Sequence, residues 1–208
     1  MAIDPVVLAA FVPAALALNL TPGADMMFCL AQGLRGGARA AWAGSAGIAL
    51  GAMITVILAG AGLGAVVAAM PGLFTVIRWL GVAYLIFLAV QTLRKPLAGP
   101  GDAPPVRPAR AFRDGLIVNL SNPKVILFVL AFLPQFVDPA RGSVLGQFMA
   151  LGLVLASGGF VINGVVGYFA GGIGRALVRD VRLDLALRGV CAGIFTGLAG
   201  KLVWDSRA

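Results

Sequence analysis

Two charged side chains sit where the sequence is otherwise apolar. Asp25 falls in "NLTPGADMM", residues 19–27, and Lys124 in "NLSNPK", residues 119–124. Both stretches interrupt runs that otherwise read as membrane helices. Each begins Asn-Leu followed by a hydroxyl residue, and each carries a proline soon after. Asp25 is the only acidic residue well inside any candidate span. A carboxylate at membrane depth is costly and by default marks a functional site. It also suits proton coupling. Lys124 lies just after Pro123, at the start of a half-helix. A cation there opposes the helix dipole, so it needs a partner, and Asp25 is the evident candidate.

The residue types around the charges point to broken helices. Thr21 is suited to cap a helix and Pro22 to occupy the first position after it, where its missing N–H costs nothing. Gly23 lets a backbone or ligand approach closely. In the second stretch Ser121 or Asn122 is the expected cap and Pro123 the first helical residue. Carbonyls freed by such breaks must face protein or a wet cavity rather than lipid. A zwitterion fits this arrangement. Its carboxylate could meet Lys124 and the half-helix N-termini, and its ammonium could meet Asp25 and freed carbonyls. The plainer alternative is that Asp25 and Lys124 only pair with each other and fix helix geometry.

The elements that must hold these residues are membrane spans. The 208 residues are 60% hydrophobic and 12% charged, with no His and no Glu. A soluble domain carries about 25% charged residues, so the chain reads as an integral membrane protein. Its net charge of +8 reflects basic loops rather than nucleic-acid binding. Cys29 and Cys191 are isolated in apolar segments and are expected to pack as small side chains. The N-terminal run "VVLAAFVPAALAL" has a signal-like core, but no Lys or Arg precedes it, and it is expected to be retained as a span.

Six spans satisfy the requirement for about 20 mostly apolar residues. They run from about Val6 to Leu34, Ala40 to Ala69, Phe74 to Leu93, Gly115 to Val137, Val144 to Val178 and Leu185 to Trp204. The first is interrupted at Thr21-Pro22-Gly23 and the fourth at Asn122-Pro123. Arg35, Arg39, Arg94, Lys95, Arg107, Arg110, Arg113, Arg175, Arg179, Arg182 and Arg188 gather in the odd-numbered loops. Those loops are therefore expected to be cytoplasmic, with both termini outside.

The hydrophilic linker 94–113 divides the chain into repeat one, 1–93, and repeat two, 114–208. The "NLT" and "NLS" breaks correspond. So do Gly81-Val82 with Ile86-Phe87 and Gly189-Val190 with Ile194-Phe195. Three spans per half force opposite insertion. The expected fold is an all-α membrane domain of six transmembrane helices, built as two inverted three-helix repeats with broken first helices. Secondary transporters use this plan and bind substrate where the broken helices meet. Gly33, Gly36, Gly37, Gly44, Gly47 and Gly51 are spaced for close helix packing. Gln32, Gln147, Asn163, Tyr84 and Tyr168 either line a pathway or bond a neighbouring helix. Arg78, Trp79, Tyr84 and Trp204 read as interface anchors.

At these motifs the chain resembles the LysE/RhtB family of bacterial amino-acid exporters. The resemblance rests on "NLTPGADMM" followed by "GLRGGARAAWAGSAGIALG", on "FRDGLIVNLSNPKVILFVLAFLPQFVD" and on "LGVAYLIFLAVQTLR". It implies efflux of amino acids or their analogues across the inner membrane by proton antiport, self-association as a homodimer, and no cofactor. It implies functional positions at Asn19, Thr21, Pro22, Gly23, Asp25, Asn119, Asn122, Pro123 and Lys124, with Ser121 in the same turn. Export of a cation or metal is the alternative, disfavoured because one carboxylate and no imidazole make a poor ligand set. A membrane redox enzyme is less consistent still, since neither a nucleophile–base pair nor a cysteine pair is visible. No P-loop is present either.

Overall fold

Prolines set the helix boundaries. A residue that precedes proline is pushed out of the helical region, and Asp4, Arg107 and Asn122 all have extended ψ values directly before a helix that opens with proline. The computed structural model describes residues 4–69 and 107–171, together with isolated positions between 76 and 94 and between 185 and 204. Among the described residues all regular structure is helical. Helix α1 spans Pro5–Leu20, α2 Ala24–Ala69, α3 Pro108–Leu120, α4 Pro123–Ala131 and α5 Val144–Tyr168. Short 3-10 turns at Leu133–Phe136 and Pro139–Arg141 connect α4 to α5.

Among the described residues two helices are long and apolar enough to cross a membrane, over Ala24–Gly62 and Val144–Tyr168. The bent pair Pro108–Leu120 and Pro123–Phe136, with 52° between its halves, makes a third if taken as one span. α1 is apolar but has only 16 residues, about 24 Å of helix at the usual rise. The third and sixth spans fall largely outside the described residues, as do the linker's first part and the arginines at 175–188. Even so, Val82, Ala89, Ala192 and Ala199 are buried in the same apolar core as α1, α4 and α5.

Two boundaries differ from the sequence reading. The loop expected between the first and second spans shrinks to a kink at Gly37, whose φ of 70° and ψ of −170° interrupt an otherwise continuous α2. Glycine tolerates this left-handed conformation without steric penalty. The fourth span begins at Pro108 rather than near Gly115. Its first turns carry exposed arginines, and Arg110 pairs with Asp114 one turn on at 3.5 Å, a spacing that supports helix.

α2 is the central element, packed against both α3 and α5. At several glycines the contacts are backbone to backbone, while Trp42, Val56 and Phe148 fill others with side chains. A Cβ at Gly115 would fall on the Gly44 carbonyl, one at Gly47 on the Phe112 carbonyl, and one at Gly33 on the Gly167 carbonyl. The small-residue spacing therefore does serve packing, as expected, at Gly33, Gly44, Gly47 and Gly51. Phe11 on α1 meets Phe136 edge-on at 5.3 Å between centroids, and Phe128, Phe132 and Phe136 continue the stack. Leu58, Leu153 and Val161 are large apolar side chains that remain exposed.

Candidate functional site

The two breaks meet, and each supplies the other with its partner. At the first break Thr21 adopts φ −65°, ψ 120°, the extended conformation that Pro22 imposes. Its N–H and its hydroxyl both donate to the Ala17 carbonyl, at 2.9 and 2.6 Å. Thr21 thus closes the end of α1. It does not cap the next helix, which opens at Ala24 after Gly23. The hydroxyl is turned back onto the preceding turn by its bond to the Ala17 carbonyl.

The carbonyls of Leu18 and Thr21 are left without helical partners. Lys124 fills the gap, its Nζ donating to Leu18 at 2.9 Å and to Thr21 at 3.0 Å. This resolves the objection to a cation in the first turn of α4. The ammonium belongs electrostatically to the C-terminal end of α1, where a positive charge is favoured and where α1 has no basic residue of its own. Gly23 makes room for it, since a Cβ there would lie 3.2 Å from Nζ.

At the second break the turn follows the expected pattern. Asn122 caps α4, its Oδ1 accepting from the Lys124 N–H at 3.0 Å, and Pro123 is the first helical residue. Ser121 ends α3, its N–H bonded to the Ile117 carbonyl. Ser121 and Pro123 are exposed and shape the turn from outside. Asn119 points inward and donates from Nδ2 to Asp25 Oδ2 at 2.8 Å. Asp25 lies in the first turn of α2, a position that favours negative charge. Asn19 reaches across to α5, donating to the Leu155 carbonyl at 3.0 Å. Asn19, Thr21, Gly23, Asp25, Asn119, Asn122 and Lys124 are therefore gathered around one junction. Asp25 and Lys124 are the buried acid and base among the described residues.

A cavity adjoins the junction, lined by Leu18, Asn19, Asp25, Asn119, Val125 and Asn163 among others. It measures about 20 Å³, room for one water-sized group, so this conformation is closed to a whole amino acid. Three buried acceptors beside it have no hydrogen-bond partner: Asp25 Oδ1, Asn119 Oδ1 and Asn163 Oδ1. Asn163, from the middle of α5, belongs to no motif and was expected only to line a pathway or bond a neighbouring helix. The available signal was a lone amide in an apolar helix. Gln147 proves structural, clasping the backbone N–H and carbonyl of Asp138.

Away from the junction, Arg141 ties Asp4 at 2.7 Å and Asp138 at 3.3 Å. This links the start of α1 to the α4–α5 connection. The Val6 N–H and the Arg141 guanidinium hold the Asp4 carboxyl below its ordinary range, and Asp4 in turn raises Arg141.

Long apolar helices, an exposed apolar surface and broken helices whose polar ends meet inside define a multi-pass helical membrane protein with an internal candidate site. Comparison with known proteins gives its family. The chain belongs to the LysE family: the family model described as LysE type translocator matches residues 16–206. An uncharacterized membrane protein of Vibrio cholerae is 31% identical, covering 96% of this chain and 97% of its own. A leucine efflux protein of an Enterobacter species is 28% identical over 92% of each chain. A homoserine/homoserine lactone efflux protein of Salmonella typhi is 36% identical over 65% of this chain and 66% of its own. No solved structure matches the chain.

Proposed function

We propose that the protein is a secondary active exporter of amino acids or amino-acid analogues across the bacterial inner membrane, driven by proton antiport. The observation that carries this reading is the crossed bracing of the two breaks, Lys124 on the Leu18 and Thr21 carbonyls and Asn119 on Asp25. Such contacts must be exchanged when the half-helices part. A substrate's carboxylate can then take Lys124 and its ammonium can take Asp25 and the released carbonyls. Asp25, the buried carboxylate, is the proposed proton carrier.

The relatives support the substrate class. Two carry names that specify efflux of leucine and of homoserine or its lactone. These compounds share a free amino group, while the lactone has no free carboxylate. The proposed architecture is six spans in two inverted repeats, 1–93 and 114–208, around a cytoplasmic linker 94–113, with both termini periplasmic and self-association as a homodimer. Asn19, Thr21, Pro22, Gly23, Asp25, Asn119, Ser121, Asn122, Pro123 and Lys124 form the proposed site and its frame.

The test is efflux from proteoliposomes over an amino-acid panel, with and without a pH gradient. Amino-acid efflux accelerated by an inward proton gradient is expected. Failure of every amino acid, together with transport of a divalent metal, would transfer the protein to the alternative reading.

A further inference from the structure

We propose that Asn163 and Asp25 form a subsite for the substrate's amino group, and that recognition of this group, rather than of the carboxylate, decides what the protein carries. The proposal rests on the amino-acid reading above and sharpens it. Asp25 is 7% exposed and Asn163 3%, and both line the same cavity. Asp25 Oδ1 and Asn163 Oδ1 are buried without a hydrogen-bond donor. Asn119 Oδ1, on the same lining, is also without a donor; buried polar atoms are nearly always paired, so three unpaired acceptors on one small cavity call for a donor to fill it.

The donor has a definable chemistry. The free atoms are oxygens and one belongs to a carboxylate, which selects a group with several N–H or O–H bonds and a positive charge. The cavity's volume suits a group the size of a water molecule, which an ammonium matches. Asn119 acts as a positioning residue. By holding Asp25 Oδ2 at 2.8 Å it leaves Oδ1 as the acceptor still open. Lys124, by contrast, is held by two main-chain carbonyls, so the preformed part of the site is the one for a cation. The remainder of the substrate occupies space that opens when α1 and α4 part.

The experiment uses full-length protein in proteoliposomes. Efflux of labelled leucine and homoserine is competed by leucinol, which keeps the amine and lacks the carboxylate, and by N-acetyl-leucine, which is the reverse. Leucinol is expected to compete within about tenfold of leucine and N-acetyl-leucine not to compete, since a charged hydrogen bond would be lost. Asn163→Leu should raise the half-saturating concentration about tenfold or more, while Asn163→Asp, which keeps the acceptor, should not. Competition by N-acetyl-leucine equal to that by leucine would overturn the subsite, and so would wild-type half-saturation in Asn163→Leu. The competitor arm needs no variant, so a folding failure of Asn163→Leu leaves a decisive result. Efflux of an amino acid without any requirement for its amine removes this subsite alone. Absence of efflux across the whole panel removes the exporter reading and the subsite with it.

Discussion

Replacing Lys124 by Met tests whether the ammonium is the C-terminal cap of α1. The side chain is 9% exposed, and its Nζ serves the Leu18 and Thr21 carbonyls. Met fills a similar volume and cannot donate. Each carbonyl stranded in the interior costs about 1–3 kcal/mol, or roughly 2–6 for the pair. Against this, the variant no longer buries an ammonium, which recovers part of the loss. The expected net destabilisation is about 2–4 kcal/mol, read as an earlier thermal unfolding transition in detergent by tryptophan fluorescence. Lys124→Arg retains a cation and should fall between the two. Asp25→Asn should cost less than Lys124→Met, because an amide can still accept from Asn119. If Lys124→Met unfolds at or above the wild-type temperature, the ammonium is not what closes α1 and the account of the first break is wrong.

Further outcomes follow from the same geometry. Asn122→Ala removes the cap of α4 and should cost about 1 kcal/mol, measurable by the same unfolding assay. Gly115→Ala drives a methyl onto the Gly44 carbonyl and should cost about 1–3 kcal/mol, whereas Gly62→Ala meets open space and should be neutral or slightly stabilising. The Asp4–Arg141 pair should show in a pH series comparing wild type with Asp4→Asn, since Asn can still cap α1. The Val6 N–H and Arg141 hold the Asp4 carboxyl below the usual carboxylate range, so the wild-type advantage should be full above about pH 4. It should fade as pH drops through the lower folded value.

Much of the site was legible because breaking a helix in a membrane takes particular residues. A proline after an extended residue, a capping side chain and a charge at membrane depth cannot be mistaken for filler, and Asp25, Asn119, Asn122 and Lys124 all meet at the junction. Their partners were not legible. Opposite charges suggest Asp25 for Lys124, but the sequence does not display main-chain carbonyls, and two of these hold the ammonium. The role of Thr21 was misassigned because a hydroxyl beside a proline can close the helix behind or open the one ahead. The backbone of the turn decides between them. Asn163 carries no motif, and only its position against Asp25 in space gives it meaning. Among fold elements, the kink at Gly37 was hidden in a run of glycines of which Gly33, Gly44, Gly47 and Gly51 pack. The early start of α3 was hidden by arginines that looked like linker.

The glycine contacts of α2 bear on how anything could move here. At Gly33, Gly44 and Gly47 the main chain of α2 is seated directly on those of α3 and α5, and there a slide of a fraction of an ångström would drive atoms together. α2 is thus the stator of the machine. On the proposed exchange of contacts at the two breaks, motion falls to the halves α1 and α4. They can swing about Thr21–Gly23 and Ser121–Asn122 while the frame stays still. On the proposed mechanism the protein works as a pair of short levers on a fixed post, and substitutions that loosen the post should slow transport.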